Sequence, residues 1–447
     1  MLQAYELLCA EQLAVARAGS GTRVARAAPI GLPTIGQEAA ASVSRYAWRL
    51  RSLPPITLVG AYMGGRPTYN LAYGQPLFAP ALFTAWRRKL AAAALRAGST
   101  HSVAGGYLPL RQALAEYLAR RRGIVCDATD ILIVGGTQQA LTMVERVVLN
   151  PGDHVIVEDP HCQAAKQSLL AHGARIISGR TDEQGLVIQE LPQHSIRLVL
   201  VTPAHQFPSG VVMSLDRRLD LLKWATQTGS WILEDDYDAE FSLNDGSLPT
   251  LTSMDRAGRV IYVGSFSKTL FPSLRLGYIV CPKALRGDLY KTKLLDDLGS
   301  PAIEQAALAC FIQSGQYEKH LRKFAMELAN RRQIAIDALQ RLAGSDIEIG
   351  PHHSGTHFVV WLRHIGINEL AGIIDHARTL GLGLHPVNPY YILKPHRPGL
   401  LVGFAGLSVS ELKTAIELFA QCLKHKKSGH SDGDFRDRIE EVELNAT

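Results

Sequence analysis

Between residues 131 and 280 the chain repeats one pattern. A short continuous apolar run is followed by a longer stretch in which apolar side chains recur every three or four positions. The apolar runs fall at 131–134, 154–158, 174–178, 196–202, 231–234, 260–264 and 276–280. Several lack the alternation of a half-exposed strand, so they predict strands covered on both faces. Helical spacing lies between them, at 138–148, 162–172 and 215–228. Alternating strands and helices predict an α/β fold with a mostly parallel seven-stranded sheet and ligand chemistry at the strand ends.

A different pattern follows. Residues 300–342 read as long helices, 357–362, 383–387 and 400–404 as strands, and 410–425 as a last helix, which together predict a smaller α+β C-terminal domain. The expected organisation is a large domain over 67–298 and a small one over 299–425. Residues 27–66, rich in Pro and Gly, read as a linker or arm, and the polar segment 426–447 as a flexible tail.

Composition narrows the class. The chain has 447 residues, 47% hydrophobic and 20% charged, which excludes a disulfide mini-protein, a collagen and a disordered chain. The net charge of +6 is too small to point to nucleic acid. The longest apolar runs fall short of the about 20 residues a membrane span needs, and Glu6 and Glu11 break any signal-peptide pattern. Cys9, Cys126, Cys162, Cys281, Cys310 and Cys422 form no CxxC pair, which suits reduced thiols in a cytoplasmic protein.

Candidate chemistry lies at three strand ends. In Gly264-Ser-Phe-Ser-Lys-Thr-Leu-Phe-Pro-Ser-Leu-Arg-Leu-Gly277, Lys268 sits among hydroxyls, with Arg275 seven residues on. A lysine beside an anion-binding cluster is what a Schiff-base site for a phosphorylated aldehyde needs. The alternative is a surface lysine in a polar loop. In Leu233-Glu-Asp-Asp-Tyr-Asp238 a carboxylate can pair with a pyridinium nitrogen, and a Tyr two residues on can reach a ring hydroxyl. The rival there is metal binding by Glu234, Asp235, Asp236 and Asp238. In Gly135-Gly-Thr-Gln-Gln-Ala-Leu141 a Gly-rich turn feeds a helix N-terminus, which presents N–H groups to a phosphate.

In this order, the three pieces resemble the fold-type I pyridoxal phosphate (PLP) enzymes of the aminotransferase superfamily, and most closely the aminotransferase-like domain of the MocR/GabR branch of GntR regulators. Tyr73-Gly-Gln-Pro, Gly106-Tyr-Leu-Pro-Leu-Arg111, Thr202-Pro-Ala-His-Gln-Phe-Pro-Ser-Gly210 and Glu234-Asp-Asp-Tyr-Asp-Ala-Glu-Phe241 support that branch. The resemblance implies Lys268 as the lysine that holds PLP as an aldimine, Asp235 as partner of the ring nitrogen and Tyr237 as partner of the ring hydroxyl. It implies Gly136, Thr137, Gln138, Ser265, Ser267 and Arg275 as the phosphate cup. Phe207 stands where ordinary aminotransferases carry an Asn, which leaves the ring hydroxyl to Tyr237. Cys162 stands where a stacking aromatic is usual; either Cys162 packs against the ring or His161 substitutes. His101 replaces a Tyr that reaches the neighbouring subunit's phosphate. Leu401 replaces the Arg that clamps the substrate α-carboxylate, a role Arg397 could take. The resemblance also implies a homodimer and a small amine or amino acid as substrate.

The N-terminus sets two readings apart. Residues 4–24, with Gly19-Ser-Gly-Thr-Arg23 as a hairpin tip, resemble the end of a GntR recognition helix and its wing. A remnant over residues 1–26 lacks the helices that seat a recognition helix in the major groove, so specific DNA binding is not expected of this chain as written. One reading is an aminotransferase-type enzyme; the alternative is a PLP-responsive regulator whose DNA-binding part is truncated here. Smaller signals carry structural readings. The spacing of Pro351-His-His-Ser-Gly-Thr-His357 suits no standard zinc pattern. Arg120-Arg-Arg122 reads as a solvated helix end, and Glu158-Asp159 as a capping and loop feature.

Overall fold

The structure, a computed structural model, describes residues 2–11, 13–19, 21–25, 42–56, 67–75, 77, 79–97, 103–241, 248–351 and 355–424. Most of the expected linker and all of the expected tail lie outside these residues. The chain divides into two compact units, residues 1–48 and 49–447. In the first, the helix Leu2–Ala10 is followed by an antiparallel hairpin of β1 (Ala14–Arg17) and β2 (Gly21–Val24). Gly19 and Gly21 take φ of +84° and +80°, the left-handed backbone that tight hairpin turns require.

The second unit begins with a two-residue strand, β3 (Tyr69–Asn70). Its main sheet contains β4 (Ile131–Val134), β5 (His154–Asp159), β6 (Arg175–Asp182), β7 (Gly185–Leu186), β8 (Ile196–Val201), β9 (Trp231–Asp236), β10 (Val260–Ser265) and β11 (Gly277–Val280). The strand order is 4-11-10-9-8-5-6-7. The run from β10 to β6 is parallel; β11 is antiparallel to both neighbours, and β7 to β6. Seven of these are the strands expected from the apolar runs. The eighth, β7, is a two-residue hairpin arm, too short to show a period.

The central strands are buried on both faces: Val155 to Val157, Leu198 to Val201 and Ile261 to Val263 are almost wholly removed from solvent. Each such side chain contributes roughly 1.5–3 kcal/mol. The covering helices have local start and stop signals. Helix Leu215–Thr228 opens at Ser214, whose Oγ accepts from the Arg217 N–H, and closes at Gly229 with φ +71°. Register then sets the site. Val263 lies beside Asp235, Gly264 beside Asp236, and Ser265 and Val134 both beside Gly277. The carboxyl ends of β4, β9 and β10 therefore share one edge.

A second, antiparallel sheet takes β12 (Ile347–Ile349), β13 (His357–Leu362), β15 (His385–Pro386) and β16 (Gly399–Gly403) in the order 12-13-16-15. The single strand expected at 383–387 is split, because β14 (Leu382–Gly383) pairs instead with β3. The helical stretch from 300 breaks into Ala302–Gln313 and Gln316–Ala343 at Gly315, φ +68°. Residues 409–424 form the last helix. The Gly403 N–H donates to the Leu71 carbonyl at 2.9 Å, and a Cβ on Gly403 would run into the Ala72 carbonyl. That close approach carries Tyr73 to the sheet edge.

Candidate functional site

Lys268 stands in the turn after β10, with its Nζ 4.2 Å from the centroid of the Tyr73 ring. Burial pushes its amine down to about 8, partly opposed by the negative charge of Asp238 and Cys162. Asp235 is the penultimate residue of β9. Its Oδ1 is sealed from solvent without a hydrogen-bond partner among the described residues. Burial, then the neighbouring acids Asp236, Asp238 and Glu158, push its carboxyl up to about 7. A cation or N–H group facing Asp235 would relieve both the orphaned oxygen and the crowding of acids.

The Tyr237 hydroxyl lies 3.1 Å from His205 Nδ1, which is 3.0 and 3.1 Å from the two carboxylate oxygens of Asp238. Phe207 packs its ring 4.9 Å from Tyr73 and 6.0 Å from Tyr237, measured between centroids. Cys162 precedes the helix Gln163–His172 and borders an apolar cluster of Phe207, Tyr237, Val359, Val387 and Leu401. Its thiol is raised by burial.

A cradle lies beside these groups. Gly136, at φ +102°, caps the helix Thr137–Val148, so the first N–H groups of that helix are free for an anion. A Cβ on Gly136 would lie 3.2 Å from Arg275 Nη2, so only glycine leaves the guanidinium its place. Arg275 itself holds a left-handed backbone, φ +50°. Ser265 Oγ accepts from the Ser267 N–H at 3.1 Å. Gln138, Ser273 and Arg275 line a cavity of about 770 Å³ that Trp86 and Phe271 close on the apolar side.

Other expected residues lie elsewhere. Arg397 forms a two-pronged pair with Glu348, at 2.8 and 3.1 Å, and covers the Trp361 ring. Leu401 is buried in the apolar cluster, and His101 lies outside the described residues. The acids of 234–238 do not converge. Glu234 accepts from the Leu251 and Thr252 backbone N–H groups at 2.9 Å, and Asp236 takes Arg122 and the Tyr262 hydroxyl. Arg122 thus corrects the reading of 120–122 as solvated: its side chain is only 7% exposed, because Asp236 lies within reach of that helix end. Glu158 and Asp159 are structural, as expected. Glu158 binds the Thr202 N–H and hydroxyl, and Asp159 the N–H groups of Ile392 and Leu393.

Four site residues were given no part in holding PLP from sequence: Tyr73, His205, Asp238 and His357. His205, Asp238 and His357 bring ligand-type atoms within 4.8 Å of one another, all buried. Tyr73, His205 and Asp238 do lie in the segments that carry the family resemblance, which was the signal available.

The sequence profile of the aminotransferase class I and II family matches residues 66–417. The chain is 31% identical over 426 residues to the probable rhizopine catabolism regulatory protein MocR of Rhizobium meliloti, covering 93% of this chain and 84% of that one. It is 33% identical over 338 residues to the uncharacterized HTH-type transcriptional regulator YhdI of Bacillus subtilis, covering 75% and 71%. In structure it is similar to the kynurenine aminotransferase of Pyrococcus horikoshii, with a TM-score of 0.74 at 26% identity over 81% of this chain and 92% of that one. Pyridoxal phosphate is the cofactor this family implies, and the residues fit it: the orphaned Asp235 oxygen suits a ring N–H, and the glycine cradle under Arg275 suits a phosphate. The chain belongs to the aminotransferase class I and II family, on the branch of the MocR-type regulators that carry an aminotransferase-like domain.

Proposed function

We propose that the protein is a PLP-dependent enzyme of aminotransferase type, acting on a primary amine or amino acid. The observation that carries this is a half-buried lysine of lowered basicity on the same sheet edge as an acid with a sealed, unpartnered oxygen. When bound, the cofactor supplies an aldehyde that forms an imine and a ring that draws electrons from the substrate.

In this reading Lys268 holds the aldehyde. An amine brought down to about 8 is unprotonated in part near neutrality, as attack on a carbonyl and later proton removal at the substrate α-carbon both require. Asp235 keeps the ring nitrogen protonated, and Tyr237 donates to the ring hydroxyl. The N-terminus of Thr137–Val148, with Gly136, Gln138, Ser265, Ser267 and Arg275, takes the phosphate. Leu401 gives the substrate an apolar wall, and Arg397 is held by Glu348. We therefore favour an amine without a carboxylate at the reacting carbon.

The test is reconstitution with PLP, borohydride reduction and peptide mass spectrometry, followed by a screen of amines against oxo-acid acceptors. A reduced cofactor on Lys268 together with turnover supports the proposal. No adduct at position 268 refutes it.

The helix and hairpin of the first unit, and the regulator relatives, favour a second reading in which the same pocket senses PLP or an amine. A gel shift on this chain, with and without PLP, separates the two. We further read the protein as a cytoplasmic homodimer. All six cysteines are free, and no described helix is long and apolar enough to cross a membrane. Leu295 and Leu298, at the end of the helix Arg286–Asp297, are 87% and 71% exposed, as a covered subunit face requires.

A further inference from the structure

We infer that His205 and Asp238 are positioning residues for Tyr237. Asp238 fixes the imidazole with its proton on Nδ1, Nδ1–H donates to the phenol oxygen, and the phenol proton is thereby turned out into the site. The inference rests on the reading of Tyr237 as donor to the ring hydroxyl of PLP, and it explains how that donor is aimed.

The argument is one of lone pairs. His205 Nδ1 faces both Asp238 oxygens at 3.0 and 3.1 Å and the Tyr237 oxygen at 3.1 Å. A bare Nδ1 would set its lone pair against a carboxylate, so the proton belongs there. That shared proton makes the Tyr237 oxygen an acceptor, and its own hydrogen has to point elsewhere. His205 Nε2 is then a lone pair. It has no hydrogen-bond partner among the described residues, and an unpaired acceptor is tolerated better than an unpaired N–H.

The dyad is also fixed in place. A Cβ on Gly355 would strike the His205 ring and the Asp238 carboxylate, and one on Gly210 would lie 3.2 Å from His205 Nε2. The His357 ring packs 5.1 Å away, its Nε2 3.2 Å from the Pro208 carbonyl, and burial keeps it neutral. Phe207, the neighbour of Tyr237, has no side-chain donor to share the task. Other titratable groups face this cluster: Asp235 from β9, Glu158 from β5, Cys162, Tyr73 and Lys268. Tyr390 meets Phe207 edge-on, with ring centroids 5.0 Å apart.

The test compares His205→Asn, His205→Phe and Asp238→Asn, each checked for native melting and loaded with PLP. Asn can place an N–H where Nδ1–H stood; Phe cannot. Asp238→Asn lets the imidazole flip tautomer, as in the Ser-His-Asp triad when its Asp becomes Asn. A phenol donor draws charge from the ring oxygen and so weakens the proton held between that oxygen and the Lys268 nitrogen. Losing it should raise the pH at which the visible band titrates by about one unit. The expected result is a raised midpoint in His205→Phe and Asp238→Asn and a near-native one in His205→Asn. Unchanged midpoints in all three overturn the inference while the Lys268 adduct still stands. Nitrogen NMR of the cofactor-free protein is an independent arm: it should show His205 protonated on Nδ1, and an Nε2-protonated ring overturns the proposal. Zinc binding to the cofactor-free protein that His357→Ala and His205→Asn both abolish would make the cluster a metal site instead, which also overturns it.

Discussion

Replacing Lys268 by Met should stabilise the cofactor-free protein. Folding lowers the Lys268 amine from an ordinary 10.5 to about 8, chiefly through burial. The native state thus releases the lysine proton near pH 8, while the unfolded chain keeps it to about 10.5. Between those values the unfolded state binds more protons, so native stability rises with pH. Below pH 8 both states are protonated and the full penalty is present, roughly 3 kcal/mol as an upper bound. Lys268 keeps partial contact with solvent and faces the Tyr73 ring, so a gain of about 1–2 kcal/mol is the working figure. Met keeps the stem volume and carries no charge, so no cavity term enters. Urea titrations of both cofactor-free proteins at pH 7 and pH 10 provide the measurement. The variant should be more stable at pH 7, and its advantage should shrink by most of its value at pH 10. A loss of stability at pH 7, or a difference that does not change with pH, would refute the argument that this lysine is held at an electrostatic cost.

Three further outcomes are expected. Gly136→Ala forces a Cβ to within 3.2 Å of the Arg275 guanidinium at a φ of +102°, so PLP affinity by fluorescence titration should fall more than about tenfold, with a stability loss of about 1–2 kcal/mol. Leu295→Glu with Leu298→Glu should shift the protein from dimer to monomer in analytical ultracentrifugation with little change in melting, since both side chains are exposed within one subunit. Leu401→Arg places a cation in an apolar cluster and should cost about 3 kcal/mol or more in urea titration; a paired gain in α-amino acid binding would show that this wall sets substrate choice.

The parts of the fold legible in the sequence are those whose signal is local. β5, β8 and β10 show as mostly apolar runs because their central residues are buried on both faces, and the turn at Gly135–Gly136 shows because its backbone needs glycine. Pairing between distant segments leaves no such trace. β14 joins β3 across more than three hundred residues, which splits a stretch that reads as one strand. Arg122 looks like the third arginine of a solvated run, and only the fold reveals Asp236 beside it. Lys268, Asp235 and Tyr237 stand out as candidates from their motifs, since each motif ends a strand. Tyr73 and His357 do not, because each reaches the site from a different segment.

The run Glu234-Asp-Asp-Tyr-Asp238 shows why a cluster of acids need not be a metal site. In a strand, successive side chains point to opposite faces. Glu234 and Asp236 turn one way, where Thr252 binds Glu234 and Arg122 and Tyr262 bind Oδ2 of Asp236, whose Oδ1 has no partner among the described residues. Asp235 turns the other way, toward the edge that carries Lys268, and is left with an oxygen that no described group satisfies. Past the strand end the alternation stops, so Tyr237 and Asp238 can both join His205. One short sequence therefore divides its charge between a buried ion pair to the helix end at Arg122, one acid with an open oxygen toward Lys268, and one acid against the His205 imidazole. A positive partner at the open position would offset the crowding by which these acids raise the Asp235 carboxyl. On the proposed reading, a ligand that brings a ring N–H to Asp235 would relieve that crowding, and the strand's alternation is what leaves this one acid facing the site.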